Sequence, residues 1–141
     1  MSNSSVTQAE KYAIMADEWF ENARDALGYA KTGLPDTTFY SWICFLCQQS
    51  AELYLKGFLI LYGVEPPRIH DLTDLLGRCS TANQSLTSLE EICRVLTDYY
   101  IETRYPPEVK AYTKEKAEEA VQLASEIEKA ITEFRKEYKG A

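Results

Sequence analysis

Apolar positions near the start of the chain recur at three- and four-residue steps: Ala9, Tyr12, Ala13, Ala16, Trp19, Phe20, Ala23, Leu27 and Ala30. That spacing lines one face of a helix and predicts helix over 6–31. Gly33-Leu34-Pro35-Asp36 interrupts it, with Asp36 as the expected N-cap of the next element. The second segment, 37–62, is apolar nearly all round, from Phe39, Trp42, Ile43 and Phe45 to Phe58, Leu59, Ile60 and Leu61. Such a helix belongs in the centre of a bundle or is buried a second time against another subunit. Gly63 is the expected stop, because glycine accepts left-handed backbone at no steric cost.

The remaining pattern predicts a short helix over 71–79, a polar loop over 80–86, and a fourth helix reaching about residue 100. Ser88-Leu89-Glu90-Glu91 reads as the capping box of that fourth helix. Arg104-Tyr105-Pro106-Pro107 ends it, since a residue before proline avoids helical angles. A last helix over 113–138 carries Ala117, Ala120, Val121, Ala124, Ile127, Ile131, Phe134 and Tyr138 on one face and mixed Glu and Lys on the other. No segment reads as a strand. The expected fold is all-α, an antiparallel up-and-down bundle of about five helices forming a single domain over 1–141.

Composition narrows the function. With 141 residues the chain is one domain by size, long enough to bury about 68–70% of its unfolded surface. A net charge of −7 opposes general nucleic-acid binding and attachment to acidic membrane surfaces. Gln48, Gln49, Ser50, Glu52 and Lys56 interrupt the second helix too often for a membrane span. Four cysteines (Cys44, Cys47, Cys79, Cys93) and no signal-peptide pattern imply reduced thiols and a cytoplasmic location. Cys44-x-x-Cys47 lies within a helix and lacks the paired, turn-borne spacing of structural zinc, so no metal is expected. A single histidine excludes a di-iron bundle.

Three groups of residues carry candidate chemistry. Gln48, Gln49, Glu52 and Lys56 form a polar stripe on the second helix, and Glu52 can pair with Lys56 one turn later. The stripe is either the wet edge of a crowded helix or a polar wall facing a groove. The only histidine, His70, stands between Arg68 and Asp71 at the start of a helix. There His70 and Asp71 can cap free amides, or the amides with Arg68 and His70 can receive an anion such as a phosphate; spacing favours the cap. Arg104 and Tyr105 follow the aromatic pair Tyr99-Tyr100, either as helix termination or as an arginine and a stacking ring held at a groove by the prolines.

Ala51-Glu52-Leu53-Tyr54-Leu55-Lys56-Gly57, then Gly63 through His70-Asp71-Leu72 with Leu75-Leu76, then Tyr100 through Arg104-Tyr105-Pro106, and an alanine-rich last helix together resemble the HEPN family. The resemblance is to the small stand-alone prokaryotic form of this nucleotide-binding domain of higher eukaryotes and prokaryotes, and it runs over nearly the whole chain. It implies a helical homodimer that partners a minimal nucleotidyltransferase, as in toxin–antitoxin pairs. Some members are metal-independent ribonucleases that carry an arginine followed four to six residues later by a histidine. This chain departs from that pattern: His70 follows Arg68 by two, and no histidine follows Arg94 or Arg104. The expectation is therefore a non-catalytic module binding a nucleotide or a protein partner, with no cofactor beyond a nucleotide. Lys56, Arg68, His70, Arg104 and Tyr105 are its expected pocket, supported by Gln49, Glu52 and Asp71. A ribonuclease and a purely structural dimerisation module are the alternatives.

Overall fold

A computed structural model of the chain describes residues 5–102 and 112–140. Five α-helices follow in order: α1 (Gln8–Gly33), α2 (Tyr40–Leu61), α3 (Leu72–Ser80), α4 (Glu90–Glu102) and α5 (Lys114–Glu137), with no strand among the described residues. Together they form the antiparallel up-and-down bundle that the apolar periodicity predicts. The all-round apolar character of α2 has a direct cause: it packs against each of the other four helices. Tyr54, Leu55, Phe58 and Leu61 of α2 are each at most 1% exposed, while Trp42 in its first turn is 61% exposed.

Helix ends follow local chemistry, with two departures from expectation. Thr7 opens α1 with a reciprocal capping box: its hydroxyl accepts from the Glu10 amide and Glu10 accepts from the Thr7 amide. Asp36 does not cap α2. It closes a 3-10 turn (Leu34–Asp36), and Phe39 stands at the N-cap position with no side-chain hydrogen bond. The Ser88 box is also absent. Residues Gln84–Leu89 form a 3-10 turn, and the Ser88 hydroxyl donates backwards to the Ser85 carbonyl. Burial of Leu86 and Leu89 winds that segment inward, which fixes the entry to α4 without the box.

The end of α2 controls where His70 goes. Gly63 adopts φ of 76°, its amide donates to the Ile60 carbonyl, and the Val64 amide donates to Leu59. These paired bonds close the helix as glycine-terminated helices commonly do, and turn the chain back across the flank of α2 towards α3. Gly57 allows a close approach of a different kind. A Cβ there would lie 2.6 Å from the Phe20 ring and 3.2 Å from the Trp19 Cβ, so α1 and α2 meet at a contact only hydrogen can occupy.

Two alanine substitutions should therefore differ in sign. Gly57→Ala should destabilise by about 1–3 kcal/mol through overpacking. Gly28→Ala, in α1 with open space around it, should stabilise by about 0.5–1 kcal/mol. Urea denaturation of the two variants beside the wild type checks both.

Candidate functional site

Helical periodicity places Gln48, Glu52 and Lys56 above one another on α2. The structure removes the wet-edge reading of this stripe: the three are only 0%, 6% and 8% exposed. Buried charges need partners, and these find them in one network. Lys56 Nζ donates to Glu52 Oε2 at 2.9 Å. His70 Nδ1 lies 3.0 and 3.1 Å from the two carboxylate oxygens. Gln48 Nε2 donates to Glu52 Oε1 at 3.2 Å and to the His70 carbonyl at 3.1 Å. Gln49 completes the set by donating to Gln48 Oε1 at 2.8 Å.

This arrangement fixes protonation and orientation. An ionised carboxylate only accepts, so Nδ1 of His70 carries the proton; Nε2 makes no hydrogen bond with a described residue, and the side chain is 46% exposed. The Gln48 amide spends both N–H bonds, and turning it over would set its oxygen against the carboxylate. Glu52 receives from a lysine, a glutamine and a histidine at once, which leaves it no capacity as a free base. Its task is to hold His70.

Tyr100 of α4 supports the imidazole from the other side. The rings stack with centroids 4.0 Å apart and planes at 17°. Tyr100 in turn stacks on Phe45 at 5.9 Å, and the Phe45 and Trp42 rings meet at 89° with centroids 5.8 Å apart. The sequence gives no local sign of the His70–Tyr100 contact, because it joins elements thirty residues apart.

Asp71 caps α3, the role that spacing favours. Its Oδ1 accepts from the Thr73 amide at 2.9 Å, the Thr73 hydroxyl at 2.6 Å and the Asp74 amide at 3.3 Å. The Leu72 amide donates to Thr97 Oγ1 at 2.9 Å, and that of Leu75 to the Asp71 carbonyl. The first turn of α3 is thus satisfied internally, and its amides do not form a seat for an anion. Arg68 is exposed and makes no hydrogen bond or ion pair with a described residue. Arg104 and Tyr105 lie outside the described residues. The structure therefore brings Lys56, His70, Glu52 and Gln49 into one network with Gln48, and stacks Tyr100 on His70.

Other titratable groups contribute no rival chemistry. Cys44, Cys47, Cys79 and Cys93 are buried free thiols, each pushed up to about 12 by burial, so they pack as small apolar groups. Among the described residues no three His, Cys, Asp or Glu side chains converge as a metal site. A cleft of about 360 Å³ between α1 and α5 contains Asp17 and Arg135, which pair with each other. Among the described residues no helix is long and apolar enough to cross a membrane.

Removing Glu52 should cost more than removing its neighbours. Glu52→Gln leaves the Lys56 ammonium buried without a counter-charge and should destabilise by about 3–5 kcal/mol; Glu52→Gln with Lys56→Met should recover part of that loss. Urea denaturation of both measures it. Asp71 gives a separate pH signature. Its carboxyl is held below the usual range, chiefly by the Thr73 hydroxyl and also by the Thr73 and Asp74 amides. A depressed folded value means the charged cap contributes fully above the unfolded value of about 3.9 and fades as pH falls through the folded one. The stability gap between wild type and Asp71→Ala, about 0.5–2 kcal/mol at neutral pH, should therefore narrow below about pH 4. Chemical denaturation across pH checks this.

Comparison with known proteins agrees with this architecture. The HEPN domain matches residues 16–134. The crystal structure of TT1696 from Thermus thermophilus superposes with a TM-score of 0.75 at 37% identity, covering 85% of this chain and 97% of that one. ST0689, an archaeal HEPN homologue, superposes with a TM-score of 0.69 at 26% identity and the same coverage of each chain. No curated protein matches. The chain belongs to the HEPN domain family.

Proposed function

We propose that the protein is a non-catalytic binding module that receives a nucleotide at the surface around His70. We further propose that it works as a homodimer beside a minimal nucleotidyltransferase, in a toxin–antitoxin-like pair. The observation that carries the binding reading is the saturation of Glu52. Its carboxylate is committed to Lys56, Gln48 and His70, so the site holds a ring in place instead of offering a free base. His70 then presents a fixed imidazole edge, with Nε2 available to hydrogen-bond and Tyr100 behind it. Arg68 supplies an uncommitted guanidinium for phosphate, and Arg104 and Tyr105 are assigned to the same ligand as a second cation and a stacking ring. Lys56 acts through Glu52.

One geometric feature favours a second reading, ribonuclease activity. An imidazole anchored at Nδ1 by a carboxylate and open at Nε2 has the arrangement of a general acid–base. The Arg-to-His spacing of the ribonuclease members is missing, and a net charge of −7 repels RNA. Binding is therefore the better-supported function.

Melting in the presence of ATP, GTP and other nucleotides tests the proposal. A nucleotide at about 100 times its Kd adds about 2.7 kcal/mol of stability, and Arg68→Ala and His70→Ala should each reduce the resulting rise in Tm. No rise with any nucleotide would defeat the nucleotide reading. Incubation with mixed RNA should leave it intact, and cleavage lost in both His70→Ala and Arg68→Ala would establish the ribonuclease instead. Light scattering after size exclusion should give twice the 16.1 kDa chain mass, and a clean monomer at micromolar concentration would contradict the dimer.

A further inference from the structure

Where α1 gives way to α2, the chain forms a groove of about 480 Å³ that the nucleotide reading does not use. Tyr29, Phe39 and Trp42 line it and are 72%, 71% and 61% exposed. Phe45 and Leu46 form part of its apolar lining. Among the described residues the Trp42 ring meets only the Phe45 ring, at 89° to it, and the Tyr29 and Phe39 rings touch no other ring. Three aromatic faces around one groove, unused within the bundle, need a reason.

Charge says what would suit them. Among the described residues no Lys or Arg lines the groove, and its single ionised group is Asp36, which has no hydrogen bond or ion pair with a described residue. Aromatic faces attract cations through the ring quadrupole, and the carboxylate and the net charge of −7 act in the same direction. The last turn of α1 brings the negative end of its dipole and the first turn of α2 a positive end, so the two helix ends oppose each other and Asp36 supplies the full charge. A primary ammonium would lose hydration that an apolar lining cannot replace. A quaternary ammonium has no N–H to satisfy and presents methyl groups to the rings.

We propose that the Tyr29–Phe39–Trp42 groove binds an organic cation bearing a quaternary or fully methylated ammonium, with the rings as its cage and Asp36 as its counter-charge. Phe45 and Tyr100 join the lining of this groove to the His70 ring, but the proposal does not depend on the nucleotide reading.

Choline and its uncharged isostere 3,3-dimethyl-1-butanol are the probes. The chain has two tryptophans, so two indole N–H signals appear in a nitrogen–proton spectrum, and loss of one in Trp42→Leu assigns them. Choline should shift the Trp42 signal saturably and leave that of Trp19 unchanged. The isostere should bind about tenfold more weakly, Asp36→Asn should weaken choline severalfold, and Trp42→Leu should abolish binding with Tm preserved, since Trp42 is mostly exposed. Equal affinity for the isostere, or no saturable shift, would overturn the proposal. So would a dimer that Trp42→Leu converts to monomer, because the groove would then belong to a second copy of the chain.

Discussion

The buried carboxylate of Glu52 is the constraint on which the rest of the site depends. A carboxylate only 6% exposed is tolerable in a helical core only when its charge and lone pairs are answered. Lys56 answers the charge from the next turn of the same helix, Gln48 answers from the turn before, and His70 answers from the returning chain. The last of these matters most for architecture. It links the segment after Gly63 to the middle of α2 and so sets where α3 can begin.

From that point the other features follow in sequence. With Nδ1 committed, the imidazole lies flat on Tyr100 of α4. The next residue, Asp71, can then cap α3, while Thr97 of α4 accepts the Leu72 amide. One polar cluster thereby joins α2, α3 and α4. The same commitments tie up Glu52 and the first amides of α3 in holding the fold, and leave His70 and Arg68 exposed.

Much of this was legible along the chain, for identifiable reasons. Apolar residues three and four apart place α1, α2 and α5 because helical packing leaves that period in the sequence. Gly63 and Asp71 were readable because the need for left-handed backbone and for an amide acceptor is local. Capping boxes show where local reading ends. Thr7 and Ser88 each stand three residues before a glutamate, yet only Thr7 makes the box. Leu86 and Leu89 draw the second segment into a 3-10 turn, and only burial decides that. The stripe of Gln48, Glu52 and Lys56 was visible, but whether it was wet or buried depended on the chain folding back over it. The stacking of Tyr100 on His70 depended on α4 packing beside α2, which no spacing encodes.

The central claim is that Glu52 fixes His70 through Nδ1 and leaves Nε2 as the working edge. Long-range nitrogen–proton NMR of the single histidine measures this directly, because the two neutral tautomers give distinct nitrogen shifts. In its neutral form, the His70 ring should carry its proton on Nδ1 in the wild type and shift towards the Nε2–H form in Glu52→Gln with Lys56→Met. An Nε2–H tautomer in the wild-type protein would show that the carboxylate does not hold the ring, and would contradict the account.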